Sequence, residues 1–535
     1  MRRERWTRGR VAALWAAAAL ALAPAVGVDG SGAGPADRRG VRSGPGALAA
    51  QSVPAGYVRA FFGAVHLDAG KMHLADDVGA TWGRLGLQWR RHEPEPGVFD
   101  FARWDTIVGV AREHGVLMLP VLNQVPEWAS SAPPDATERW RYAPSDEGME
   151  GWQEYVRRVV ERYPEIEYFE IWNEPNIDWF LRADENYRVY VDRILIPAAE
   201  VIHAAGRKVV APSYTLEWPA DSWPLAERPS RLRHTVAAVT EDVDRWLSYH
   251  DAWRHIDILS VHYSKGDTEK PMLPHAQSLM PFYDHVYEHW IRPGKLEGVW
   301  NTEAGLTAVE AGTRGFVSLE PWERPPYAQW VPRYMLPVLH WALGADWKDR
   351  HQYKASWYHM KAGPGRSGTL LRTNLLDEAP DGPVPSDVGR AMRTLSDLLA
   401  GDAGTVGQFD GGVEVGFGLF DDSTALNYFA PYRFRSYAFQ ADRDVIIATW
   451  LDLPGLEFAT GVELDVVVAG LGPGSAAPPE RGPAEGSAED WRVTRIDYIT
   501  GETTMVGSAE RLPDGRVRIR LPAGGDPVLY LRLAR

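Results

Sequence analysis

Between about residues 57 and 400, short apolar runs alternate with amphipathic helical stretches, and the pattern recurs eight times. The runs are Ala60 to Val65, Trp82 to Gln88, Val116 to Val121, Tyr168 to Trp172, Lys208 to Pro212, Asp257 to Tyr263, Gly298 to Glu303 and Ala355 to Tyr358. Helical spacing covers Phe101 to His114, Met149 to Tyr163, Glu185 to Ala205, Glu241 to His255 and Ala328 to Leu343. On the second of these, Trp152, Val156, Val159 and Val160 share one stripe. Uninterrupted apolar strands joined by helices suit a parallel sheet, because parallel neighbours need a long crossover and the crossover covers the sheet face. Eight such units predict an α/β fold, a (β/α)8 TIM barrel.

The texture changes after a helix expected over Ser386 to Ala400. Val413 to Leu419, Tyr432 to Phe439, Asp444 to Leu451, Val462 to Val468, Trp491 to Tyr498, Arg516 to Leu521 and Val528 to Leu533 alternate with period two, with Gly, Pro and Asp between them. This predicts a C-terminal antiparallel β-sandwich, with a mobile loop over Gly470 to Glu489. At the other end, five arginines in the first ten residues precede an apolar stretch from Val11 to about Ala25, with Ala23 and Ala25 suited to cleavage. The stretch is too short to span a bilayer, and Pro24 interrupts it. The expected organisation is a signal peptide over 1–26, a disordered Gly/Ala/Ser/Arg linker over 27–54, the barrel over 55–402 and the sandwich over 403–535. Secretion, extracellular or periplasmic, follows as an expectation, with no membrane attachment after cleavage.

Charge and composition narrow the chemistry. A formal net charge of −15 leaves no basic footprint for nucleic acid. Cysteine is absent, which removes thiol nucleophiles, iron–sulfur clusters and thiolate zinc sites, and the 15 histidines form no ligand spacing. No metal or cofactor is implied.

Two carboxylates stand out. Glu174, in Asn173-Glu174-Pro175, and Glu303, in Trp300-Asn301-Thr302-Glu303, each close an apolar run. In a parallel barrel all the strand C-termini face one mouth, so residues about 130 apart in sequence meet there. Two acids so placed can cleave a glycoside: one attacks the anomeric carbon, the other protonates the leaving oxygen and later activates water. In that reading one of Glu174 and Glu303 is the nucleophile and the other the acid/base. Asn173 would bond the sugar 2-OH, and either Arg84 or Tyr263 would hold Glu303 ionised. Trp357 would floor the sugar subsite. Each has a plainer alternative: Asn-Glu-Pro can merely turn a chain, Arg84 can be a structural ion pair, His262 can satisfy a buried hydrogen bond, and Trp128 and Trp172 can be core. Glu93, Glu95 and Glu170 read as solvated loop edge or structural partners.

The stretch from about 57 to 400 resembles glycoside hydrolase clan A, the retaining (β/α)8 glycosidases with an Asn-Glu acid/base after strand four and a nucleophile on strand seven. Asn173-Glu174-Pro175 and Glu303 carry that likeness, which implies Glu303 as the nucleophile and Glu174 as the acid/base. Arg84 on strand two, Trp89 to Gly97, Pro126 to Ser130 including Trp128, His262-Tyr263 on strand six and Trp357 on strand eight agree with it. The clan often has His-x-Tyr on strand six, whereas Ser264 here follows His262-Tyr263. A C-terminal sandwich is similar to the β-xylosidase and α-L-iduronidase branch. The resemblance implies hydrolysis of O-glycosidic bonds in oligo- or polysaccharides through a covalent glycosyl-enzyme. A catalytically silent carbohydrate binder and a transglycosylase are the alternatives. Loops carrying Trp179, Phe180, Trp218, Trp223 and Phe282 would wall a pocket or a cleft, with a lean toward exo-action on xylose or other β-linked units. Sugar, linkage and oligomeric state are not legible.

Overall fold

A computed structural model describes residues 52–216, 236–265, 280–306, 327–344, 352–358, 360–361, 374–417, 434–451, 463–471, 491–506, 509–522 and 526–534. The signal-peptide segment, nearly all of the linker and most of the Gly470–Glu489 loop lie outside them. No described helix is long and apolar enough to cross a membrane.

Eight parallel strands close into a barrel: β1 (Phe62–Val65), β2 (Trp82–Gln88), β3 (Leu117–Asn123), β4 (Tyr168–Ile171), β5 (Lys208–Thr215), β6 (Ile258–Lys265), β7 (Gly298–Leu306) and β8 (Tyr353–Trp357), with β8 pairing back to β1. Helices α1 (Ala102–Glu113), α2 (Met149–Arg162), α3 (Ile196–Ala204), α4 (Val236–Ser248), α5 (Met280–Val286), α6 (Trp330–Gly344) and α7 (Asp387–Ala400) occupy the connections and the turn after β8. Between β1 and β2 the chain makes only two 3-10 turns, Ala69–Leu74 and Asp76–Val78. The stripe predicted on α2 is buried as expected.

Strand parity sets the barrel interior in layers. Trp82, Leu119, Val210, Ile258 and Trp300 pack together at the N-terminal end, with Tyr168 against them and the Lys354 ammonium over the Trp300 ring at 5.4 Å. Counting on by two from Trp82, Tyr168, Trp300 and Lys354 reaches Arg84, Glu170, Thr302 and Ser356, so the next layer is polar and buried. The mouth lies above it.

Beyond α7, a sheet of β9 (Thr405–Gln408), β11 (Phe434–Ala441), β12 (Asp444–Leu451), β18 (Val528–Ala534), β14 (Arg492–Ile496) and β15 (Thr503–Met505) faces a second sheet of β10 (Val413–Phe417), β13 (Glu463–Val468), β17 (Val517–Pro522) and β16 (Ala509–Arg511). The central strands of the larger sheet are apolar on both faces. Val445, Ile447, Leu529 and Leu531 fill the sandwich core, while Ile446, Ala448, Trp450 and Tyr530 join the cluster that surrounds the barrel. The two-residue strand Val53–Pro54, assigned to the linker from sequence, pairs with β9 at the edge of this sheet because its backbone extends directly beside Thr405 and Val406. Barrel and sandwich accordingly fall in one compact unit, Leu48–Arg535.

His340 of α6 sits in that shared wall, edge-on to the Tyr437 and Phe439 rings at 5.3 Å, with Gln408 donating to its carbonyl at 2.5 Å. Burial pushes the His340 imidazole down to about 4. Because the folded value lies below the unfolded one, the unfolded chain binds the extra proton between about pH 6.5 and 4, and stability falls as pH drops through that window. The loss should approach at most about 3 kcal/mol. His340→Gln should flatten the decline in denaturant midpoint between pH 6.5 and 4; an unchanged slope would refute this assignment.

Candidate active site

Irregularities at the strand ends aim the functional side chains. On β7 the register against β6 runs Val261 to Asn301 and then His262 to Glu303, so β7 carries one extra residue, and the pairing with β8 shifts at the same place. Without that bulge Thr302 and Glu303 would face opposite ways; with it both turn inward, Thr302 donating to Glu170 at 2.6 Å and Glu303 accepting from Arg84 at 2.5 Å. Glu303 thus lies inside the strand, which continues to Leu306 rather than ending at the carboxylate.

Glu174 lies three residues past β4, on a turn in which Trp172 (φ 71°) and Glu174 (φ 42°) both occupy the left-handed region. That strain needs external support. A bulge on β5 supplies it: the Ser213 carbonyl accepts from the Glu174 amide at 3.1 Å, and the Ser213 hydroxyl donates to the Trp172 carbonyl at 3.2 Å. Ser213 is itself fixed, its amide donating to Ser260 Oγ at 2.7 Å. Asn176 and the Thr215 backbone exchange bonds at 2.9 and 3.0 Å, clamping the far side of the turn.

Arg84 is the hub. Its Nε donates to Glu170, its Nη1 to Glu303 at 2.5 Å and its Nη2 to Asn173 Oδ1 at 2.8 Å. Burial works against the guanidinium charge, and Glu170 and then Glu303 more than offset it. Burial also pushes the Glu303 carboxyl up; Arg84 opposes that shift, and the charge on Glu170 adds to it. His262 is fully buried, with Nδ1 2.9 Å from Glu174 Oε1 and 3.8 Å from Glu303 Oε2. Burial and then the Arg84 charge hold its ring far below the usual imidazole range, hence neutral. Nε2 has no hydrogen-bond partner among the described residues, so the ring hydrogen belongs on Nδ1, facing Glu174.

One oxygen each of Glu174 and Glu303 and one His262 ring nitrogen lie within 4.8 Å of one another, and the two glutamate side chains keep 14% and 13% exposure. The pair is therefore reachable from the mouth. This trio is also the one group among the described residues spaced to hold a metal ion. The positive charge at Glu303 is already supplied by Arg84.

Of the residues singled out from sequence, Arg84, Asn173, Glu174, His262 and Glu303 meet in this cluster. The Tyr263 side chain lies outside the described residues. Trp357 does not reach the site: it is fully buried and faces α6, edge-on to Tyr334 at 6.0 Å, with the Gly305 backbone against its ring. Parity explains the correction, since Lys354 and Ser356 face the barrel interior and the next inward position is Tyr358. Tyr358 rather than Trp357 stands at the mouth; burial and the charges of Glu303 and Glu174 hold its phenol well above the usual range, and its ring lies 5.6 Å from that of His66. Trp128 packs edge-on to Trp89 at 5.4 Å, donates to the Glu93 carbonyl at 3.2 Å and meets Gly151 of α2, which places it in the helical layer. Phe282 is core, and Trp218 and Trp223 lie outside the described residues.

Glu170, taken from sequence as a loop-edge or structural carboxylate, is fully buried beside Arg84. Two positions that sequence reasoning missed are Gln88 and Asn123, which end adjacent strands on the inward parity. Each has a buried amide oxygen without a partner among the described residues. Counting by two from Arg84 would have found Gln88.

No known family profile matches the chain, and no curated protein matches it by sequence. Solved structures do. A family 39 glycoside hydrolase from the gut symbiont Bacteroides cellulosilyticus WH2 aligns at 15% identity and TM-score 0.54, over 89% of this chain and 81% of that one. A family 30 endoxylanase from Clostridium papyrosolvens C71 aligns at 10% identity and TM-score 0.47, over 89% and 96%. A family 39 β-xylosidase from Caulobacter crescentus aligns at 13% and 0.45, over 90% and 94%. At such identities the first likeness establishes the barrel-plus-sandwich architecture and no more.

Proposed function

We propose that the chain is a retaining glycoside hydrolase that cleaves O-glycosidic bonds of oligo- or polysaccharides. The observation that carries this reading is the separation of Glu174 and Glu303. One oxygen of each lies within 4.8 Å of one oxygen of the other, a close approach that favours the roughly 5 to 5.5 Å carboxyl spacing of double displacement over the roughly 6.5 to 9.5 Å that an inverting pair needs for an intervening water. Glu303, fixed and charge-compensated by Arg84, attacks the anomeric carbon. Glu174 protonates the leaving oxygen and then deprotonates the incoming water, with the neutral His262 N–H orienting it throughout. Arg84 occupies the amide oxygen of Asn173, so what Asn173 presents to a sugar hydroxyl is its NH2 group. Gln88 and Asn123 add unpartnered acceptors for further hydroxyls. The Arg-rich apolar N-terminal segment agrees with secretion.

The test is a panel of aryl glycosides and β-linked oligosaccharides, with the anomer of the first product followed by NMR. Release with retained configuration is expected. Inversion would sink the mechanism, and binding without cleavage would favour the silent binder. Replacing Glu170 by Gln keeps the bond geometry to Arg84 but removes a like charge beside Glu303. Since that charge raises the Glu303 carboxyl, the acid limb of kcat/KM should move to lower pH. A limb that stays or moves up counts against Glu303 as the ionised nucleophile.

A further inference from the structure

The loop that leaves Glu174 holds up a flat apolar surface. Trp179 is 62% exposed, more than any other tryptophan among the described residues. It is nevertheless fixed. Its inner side carries the Arg141 guanidinium at 4.3 Å; Arg141 lies in turn 4.9 Å from the Trp140 ring, and Arg90 approaches that ring at 5.6 Å. This ladder of alternating cations and rings is pinned at each rung. Arg90 bonds Gln124 at 2.7 Å, the buried Arg141 bonds Glu138 at 2.7 Å, and Glu138 also takes Arg182 at 3.1 Å. The Arg182 amide donates to the Arg141 carbonyl at 2.8 Å, tying the β3 and β4 loops together.

The same loop is tied to the acid/base. The Ile177 amide donates to the Glu174 carbonyl at 3.2 Å, Phe180 and Leu181 bond back to Ile177, and Trp172 Nε1 donates to the Phe180 carbonyl at 3.1 Å. Asn186 closes the base of the loop on Pro175 and Leu181. An exposed indole in solution gains nothing from such bracing. A ring that must present its outer face to a flat ligand does, because ordering is completed before binding.

We infer that Trp179, braced by Arg141, is a stacking platform for a pyranose ring on the leaving-group side of the scissile bond. This rests on the proposed glycosidase reading in one respect: Glu174 is taken as the group that protonates the leaving oxygen, and Trp179 follows it by five residues on the same braced loop. The inner face of the indole is filled by a cation, which leaves the outer face for the axial C–H groups of a neutral sugar rather than for a second cation. The platform makes the second sugar, and not the glycone alone, a determinant of specificity.

The experiment compares Trp179→Ala with its parent in two arms. In the first, β-1,4-linked xylohexaose and cellohexaose are titrated calorimetrically into protein carrying Glu303→Gln, which binds without turnover. In the second, kcat/KM is measured on the hexasaccharides and on the glycosyl fluoride of the same glycone, whose leaving group has no ring. Loss of one stacked ring should weaken hexasaccharide binding and lower kcat/KM on it by about tenfold or more, while fluoride hydrolysis stays unchanged. Trp179→Phe should recover part of the loss. Equal losses on fluoride and hexasaccharide would mean that Trp179 only shapes the active site and would overturn the platform, as would unchanged hexasaccharide binding or a parent that binds neither sugar. If the parent binds but cleaves nothing, the hydrolase reading fails while the binding arm still judges Trp179.

Discussion

Glu303→Ala should lower the rate on every glycoside that the wild type cleaves by at least about a thousandfold, with the fold intact. The first half follows from the chemistry: without the carboxylate no covalent intermediate forms, and what remains is binding plus the acid at Glu174. The second follows from the surroundings. Arg84 keeps Glu170 and Asn173 as partners when Glu303 is truncated, so no buried charge is orphaned. Burial holds the folded Glu303 carboxyl above its unfolded value, so the folded chain binds the extra proton and ionising Glu303 costs stability as pH rises through that window. At neutral pH the alanine variant should therefore melt no lower than the wild type, apart from the small cavity it opens. Rates and unfolding midpoints measured on one preparation check both halves, and a variant within about tenfold of wild-type rate would remove Glu303 from the nucleophile's role.

Arg84→Met should fail in both respects. It leaves Glu170 fully buried with its principal counter-charge gone, a type of change that costs about 3–5 kcal/mol. It also frees Asn173 and withdraws the donor that fixes Glu303, a loss worth roughly a hundredfold or more in kcat. Because Arg84 holds the Glu303 carboxyl down, its removal should shift the acid limb of the residual activity to higher pH, opposite to the shift expected for Glu170→Gln. The double variant Arg84→Met, Glu170→Leu separates the roles. Replacing both members of a buried pair by apolar groups restores most of the stability, while activity stays low. Recovery of both would make Arg84 a purely structural ion pair.

The barrel strands are legible because each is an apolar run bounded by turns or amphipathic helix, and a parallel strand covered on both faces leaves that trace wherever it occurs. Trp82 to Gln88 and Asp444 to Leu451 coincide with their observed strands, and most others differ by a few residues at an end. Parity is harder. Trp357 and Tyr358 are adjacent aromatics, and which faces the mouth depends on counting from Lys354, whose inward position is visible only once Trp300 is seen beside it. The β7 bulge is equally silent, since nothing in Asn301-Thr302-Glu303 announces that two consecutive side chains will share one face. Short edge strands such as Thr503–Met505, exposed throughout, carry no apolar signature at all.

The pairing of Val53 with Val406 has a consequence for how the molecule comes into being. A ribosome delivers Val53 long before β9, so the opening residues of the fold wait, unpaired, while the whole barrel emerges. Ile446, Ala448, Trp450 and Tyr530 belong to the same late-made wall that covers the barrel's helices. Contacts this distant in sequence are slow to form, and the apolar surface they will cover stays open until they do. Emergence of β18, rather than completion of the eighth barrel strand, is then the moment at which the barrel can become a finished object. A gene cut at the barrel's apparent end would encode a protein with one side missing.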